Sequence, residues 1–125
     1  MSEALSLNHI VIYGEFLERS MAFYSVVLGE FGFVKKNANS FAGQHLTIEI
    51  RQASDMEEIR SAHGPGCDHI GFRAPDRDFV QQVMMTVEMA GYKGGRIIQF
   101  DDGRYSGFIP DPDGFRIEIS HKPKD

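Results

Sequence analysis

Two triplets in this chain carry a carboxylate between two isoleucines: Ile48-Glu49-Ile50 and Ile117-Glu118-Ile119. In an extended strand, successive side chains point to opposite faces, so each triplet buries its isoleucines and turns its glutamate the other way. A single glutamate of this kind is ordinarily a solvated residue on an open sheet face. Here, however, each triplet also follows a histidine on an earlier strand. His9 lies in Leu7-Asn8-His9-Ile10-Val11-Ile12-Tyr13, and His69 in Cys67-Asp68-His69-Ile70-Gly71-Phe72-Arg73. Alternation places both histidines on the faces opposite the isoleucine pairs. Two imidazoles and two carboxylates make a donor set suited to a divalent ion of the Zn, Ni, Co, Mn or Fe(II) kind. The other histidines stand apart: His45 precedes the first triplet as a spare donor, while His63 and His121 fall in a loop and a tail and are expected to be solvated.

The elements that must position these residues repeat in order. In the first copy, a strand over Leu7–Tyr13 is broken by Gly14. A helix follows from about Phe16 to Leu28, with Leu17, Met21, Tyr24 and Leu28 on one stripe and Phe16, Ser20, Phe23 and Val27 beside it. Gly29 and Gly32 are expected to end it. Strands are expected at Phe33–Lys36, Ser40–Ala42 and Leu46–Arg51. In the second copy, the strand Cys67–Arg73 leads to a helix with Asp76 as its N-cap and Phe79, Val83 and Val87 on its apolar stripe, ended by Gly91. Strands follow at Ile97–Phe100, Tyr105–Ile109 and Phe115–Ser120, the last entered through a turn in which Pro112, Asp113 and Gly114 supply the chemistry. The copies span about residues 5–52 and 67–121. The polar stretch 53–66 reads as a linker, with a helical turn or two over Asp55–Ala62 and a Gly-Pro-Gly end. Together these give one α+β domain of two βαβββ modules. If helices cover the isoleucine faces, the histidines and glutamates line the uncovered side, and two halves closing together would gather all four.

The bulk properties narrow the function. The chain has 125 residues, 42% hydrophobic and 25% charged, with a net charge of −5. That is an ordinary globular composition, and it offers no basic stripe for nucleic acid. No apolar run is long enough for a membrane span. The first residues lack the basic and apolar regions of a signal peptide, and Cys67 is the lone cysteine. A cytoplasmic protein with no nucleic-acid or membrane partner is therefore expected.

The chain resembles the vicinal oxygen chelate superfamily of glyoxalases, bleomycin-resistance proteins and extradiol dioxygenases. The resemblance is carried by His9-Ile10-Val11-Ile12, Ser20-Met21-Ala22-Phe23-Tyr24, Leu28-Gly29 followed by Gly32-Phe33, Asp68-His69-Ile70-Gly71-Phe72, and Asp111-Pro112-Asp113-Gly114 leading to Ile117-Glu118. It implies a cupped, partly open barrel-like sheet, usually in a homodimer, with one divalent metal held by His9, Glu49, His69 and Glu118. Glutamate at position 49 makes the ligand pattern most similar to glyoxalase I. The implied activity is a lyase or isomerase reaction on a small oxygen-rich substrate through an enediolate-type intermediate. Glu118 and Glu49 would be the catalytic carboxylates, and Tyr13, Thr47, Arg73, Tyr105 and Arg116 would line the cup. Two other readings stay open: a small-molecule (antibiotic) binding or resistance protein, with or without metal, and an Fe(II) extradiol-type dioxygenase using His9, His69 and one glutamate.

Overall fold

The computed structural model describes residues 4–56, 61 and 63–123, and the chain divides after residue 56 into two compact units. In the first, β1 (His9–Gly14), α1 (Leu17–Glu30), β2 (Val34–Asn37), β3 (Ser40–Ala42) and β4 (Thr47–Gln52) follow in order. The second repeats the order with β5 (His69–Arg73), α2 (Arg77–Met89), β6 (Arg96–Gln99), β7 (Tyr105–Pro110) and β8 (Arg116–His121). Each unit forms a four-stranded mixed sheet with the same topology, β1-β4-β3-β2 and β5-β8-β7-β6. In each sheet the first strand runs parallel to the last, and the other pairs are antiparallel. The expected pair of βαβββ modules is present.

Alternation within the strands decides what is core. Ile48 and Ile50 of β4 are buried, as are Ile117 and Ile119 of β8. Helix α1 packs on β4 and presents Ser20, Met21, Phe23, Tyr24, Val27 and Leu28 as its buried stripe. Phe23 and Tyr24 meet edge to face, with centroids 5.0 Å apart. Helix α2 packs on β7 and β8 through Val80, Val83 and Val87. Val80 was not on the expected stripe. It takes the central place because Gly107 of β7 lacks a side chain: a Cβ there would stand 2.5 Å from Met84 Sδ and 3.4 Å from Val80 Cγ1, so the helix lies close against that strand.

The helix ends also differ in detail from expectation. α1 runs through Gly29 to Glu30, and the chain turns at Gly32, whose φ of 88° is the left-handed conformation that a glycine adopts without a Cβ penalty. Phe16 is the N-cap of α1 and is exposed, not part of the stripe. It offers no capping oxygen, and Gln52 at the end of β4 does so instead, its Oε1 accepting from Leu17 N at 2.9 Å. In α2, Asp76 caps as expected, accepting from Phe79 N at 2.8 Å. The turn before β8 is present as expected, and Asp111 adds to it: its buried Oδ1 accepts from Asp113 N and Phe115 N, both at 2.9 Å. His121 is not in a loose tail. It closes β8, half-buried, with Nδ1 3.4 Å from the Ala74 carbonyl. Residues 57–60 and 62 of the expected helical turn at Asp55–Ala62 lie outside the described residues; Asp55, Met56 and Ser61 are not helical. Among the described residues no helix is long and apolar enough to cross a membrane.

Candidate metal and substrate site

The parallel pair β5–β8 sets Gly71 beside Glu118 and His69 beside Arg116. His69 and Glu118 therefore share a face, offset by one step of the pleat along the ladder. His69 Nε2 stands 3.0 Å from Glu118 Oε1. Gly71 leaves the space between them open, for even an added Cβ would reach only to 3.5 Å from that oxygen. Glu118 is 5% exposed, although it lies on the face opposite the buried isoleucines. A carboxylate buried so deeply is costly unless cations or hydrogen bonds meet it. Arg104, from the turn before β7, brings Nη1 to 3.6 Å from Glu118 Oε2. That oxygen is buried and has no hydrogen-bond partner among the described residues. Phe108, opposite Glu118 on β7, sets its ring edge to face with His69, centroids 6.0 Å apart.

The other nitrogen of His69 is committed. Nδ1 donates to Asp68 Oδ2 at 2.7 Å, and the same oxygen accepts from Arg116 Nη2 at 2.5 Å. The hydrogen bond from His69 holds the Asp68 carboxyl below the usual carboxylate range, and the charge of Arg116 adds to the effect. Because an ionised carboxylate can only accept, Nδ1 carries the proton and Nε2 is the nitrogen turned toward Glu118.

The first unit repeats half of this arrangement. His9 Nδ1 donates to Asn8 Oδ1 at 2.7 Å, so the residue before each histidine fixes its ring in the same way. On the parallel pair β1–β4, His9 lies beside Thr47, Val11 beside Glu49 and Tyr13 beside Arg51, all on one face. Glu49, however, is ion-paired with Arg51 on its own strand, and no ion pair joins it to His9 among the described residues. Glu49, and after it Tyr13, raise the Arg51 guanidinium above its ordinary value. Val11 stands where the second unit has Gly71, filling the space beside the carboxylate that Gly71 leaves open.

Each predicted site residue thus has a place. His69, Glu118 and Arg73 share a face of the second sheet; Arg116 is there too but tied to Asp68. His9, Thr47, Glu49 and Tyr13 share a face of the first. Tyr105 is not brought to the Glu118 face: Gln81 of α2 donates to its hydroxyl at 3.0 Å, and the Arg77 guanidinium lies 4.5 Å from its ring centroid. Sequence reasoning did not single out Asp68, Asn8, Arg51 or Arg104. The first two carried a signal, the repeated polar residue before each histidine. Arg51 also carried one, since it lies two residues from Glu49 and on its face. Arg104 carried none, because its approach to Glu118 is made across two strands.

The donor chemistry fits a divalent ion in part. An imidazole nitrogen and a buried carboxylate, one of whose oxygens has no hydrogen-bond partner, face one another, while among the described residues no group of three or more His, Cys, Asp or Glu side chains is gathered.

Paired βαβββ units with a histidine on the first strand and a glutamate on the last define a class. The model of the Glyoxalase/Bleomycin resistance protein/Dioxygenase superfamily matches residues 6–119, and the chain belongs to that superfamily. It is similar to Glyoxylase I 4 of Arabidopsis thaliana, 29% identical over an alignment 123 positions long that covers 91% of this chain and 69% of that protein. Among solved structures, a candidate glyoxalase from Bacillus halodurans superposes with a TM-score of 0.77 at 23% identity, covering 92% of this chain and 94% of the other. The lactoylglutathione lyase from Agrobacterium tumefaciens gives 0.68 at 21% identity, covering 96% of each. These two likenesses concern the fold.

Proposed function

We propose that this protein is a divalent-metal-dependent, glyoxalase-like lyase or isomerase acting on a small oxygen-rich substrate. The observation that carries the reading is the 3.0 Å approach of His69 Nε2 to Glu118 Oε1 beside a buried Glu118 Oε2 that has no hydrogen-bond partner among the described residues. The names of the relatives, a glyoxylase and a lactoylglutathione lyase, support the reaction class. His69 and Glu118 are the proposed ligands of the second unit, and His9 and Glu49 are their equivalents in the first. A bound ion would supply a Lewis acid for an oxygen that becomes negative during reaction. The chain's own part is to hold and to move a proton. Asp68 keeps the His69 proton on Nδ1 and leaves Nε2 as a donor of electrons. Glu49, half-exposed and ion-paired with Arg51, is the proposed base that takes a proton from the carbon beside a carbonyl. Tyr13 and Thr47, on its face, and Arg73, on that of Glu118, are proposed substrate contacts. A homodimer is part of the proposal.

The test is incubation of the Ni, Co, Zn, Mn and Fe(II) forms in D₂O with 2-oxoaldehyde hemithioacetals, 2-methyl acyl thioesters and catechols. Deuterium is expected at the α-carbon of a carbonyl substrate. Glu49→Gln is expected to keep most of its metal and lose most of its turnover, because an amide cannot take up the proton. Oxygen uptake with catechols in the Fe(II) form alone would replace this reading with ring cleavage, and silence across the panel would favour a binding protein.

A further inference from the structure

The Glu118 face of the second unit continues into a cleft of about 590 Å³, within the range of small-molecule sites. It is lined along β8 by Glu118 and Ser120, just past the strand by Lys122, and also by Arg73 and Arg104. The chain as a whole carries a net charge of −5, yet Arg73, Arg104 and Lys122 line this cleft, where Glu118 is the single carboxylate. Among the described residues neither Arg73 nor Lys122 enters an ion pair. Arg104 is the best placed of the three. Its guanidinium lies 3.9 Å from the Phe100 ring centroid, which holds the plane; Nη1 is the atom paired with Glu118, and the buried Nε has no hydrogen-bond acceptor among the described residues. A stacked guanidinium with donor capacity left over suits a planar or tetrahedral oxyanion better than a flexible ammonium would. Ser120 adds a hydroxyl. Its Oγ is 2.7 Å from Ser106 Oγ, and when the buried Ser106 donates in that bond the Ser120 O–H is left to give.

We propose that this cleft binds an anionic group of the substrate, a carboxylate or a phosphate, with Arg104 as the positioned cation and Arg73, Lys122 and the Ser120 hydroxyl completing the subsite. The assignment rests on the functional reading above for the word substrate, and on the cleft alone for the anion. It places the charged end of the molecule beyond Glu118, so that the reacting end lies toward His69.

The experiment is a titration of the full chain, ¹⁵N-labelled, with inorganic phosphate and separately with malonate at low ionic strength. It is read on the Arg104 Nε–H resonance and the amides of Ser120 and Lys122. Saturable shifts are expected, with the tighter anion naming the class. Arg104→Gln should weaken binding by about tenfold or more, as for loss of a charge-assisted hydrogen bond. Arg73→Gln, at an exposed position where folding is not at stake, should weaken it less, and Arg96→Gln on β6 should leave it unchanged. Metal content is measured on the same samples and on His69→Ala. Anion binding that survives in a metal-free His69→Ala protein supports the cleft whether or not the metal reading holds. Absence of saturable shifts with both anions, or wild-type affinity in both Arg104→Gln and Arg73→Gln, would overturn the proposal while leaving metal binding to be judged separately.

Discussion

With its Nδ1 proton committed to Asp68, His69 presents Nε2 as the nitrogen able to ligate, and Asn8 does the same for His9. Outer partners of this kind fix tautomer and ring angle, and their loss typically weakens metal binding without removing a ligand. Asp68→Ala is therefore expected to lower metal affinity about 10–100-fold, measured by competition with a chelator. Because Asp68 is exposed, folding should be little changed, and the urea midpoint checks this. Affinity within about twofold of wild type would remove Asp68 from the account. The two glutamates show why equal positions need not be equal residues. Glu118 is buried between His69 and Arg104 beside a glycine, whereas Glu49 is half-exposed, paired with Arg51 and next to a valine. The first environment suits a fixed group, the second one that moves.

At the scale of elements, the work is done by strand parity and by the helices that cover one face of each sheet. Ile117 is 1% exposed beneath α2, and Ile117→Ala is expected to cost about 2–5 kcal/mol through lost burial and the cavity left behind. Asp76→Ala removes the cap of α2 and is expected to cost about 1 kcal/mol. Urea unfolding of both variants measures this, and reversal of the order would contradict the assignment of core and cap. Parity is also why so much was legible in the sequence. A period of two assigns every residue of Ile117-Glu118-Ile119 to a face without further information, and most of the helical stripes and the turn glycines Gly32 and Gly91 are local as well. What is not local was not legible. The depth of Glu118 depends on Phe108 arriving from β7 and Arg104 from the turn before it. Tyr105 was expected beside the site, but its register sends it to α2, and no property of Tyr105 alone reveals that. Likewise, Val80 takes the centre of its stripe only because Gly107, on another element, has no side chain.

For the whole molecule, the repeat gives two sheets of one topology, each ending in an exposed strand: β2, with Val34 69% exposed, and β6, with Ile97 40% exposed. Unpaired edges with exposed apolar residues favour association, though Lys35 and Lys36 on β2 oppose it there. Light scattering at micromolar concentration is expected to report a homodimer, and a clean monomer would contradict the proposed assembly.

The central claim is that His69 and Glu118 are ligands, and the most direct measurement is the metal content of protein purified without added chelator, by mass spectrometry, for the wild type, His69→Ala and Glu118→Ala. One divalent ion per chain is expected in the wild type. It should be lost in His69→Ala and strongly reduced in Glu118→Ala, because opening the shell leaves the remaining donors under-neutralised. Wild-type metal content in both folded variants would contradict the account.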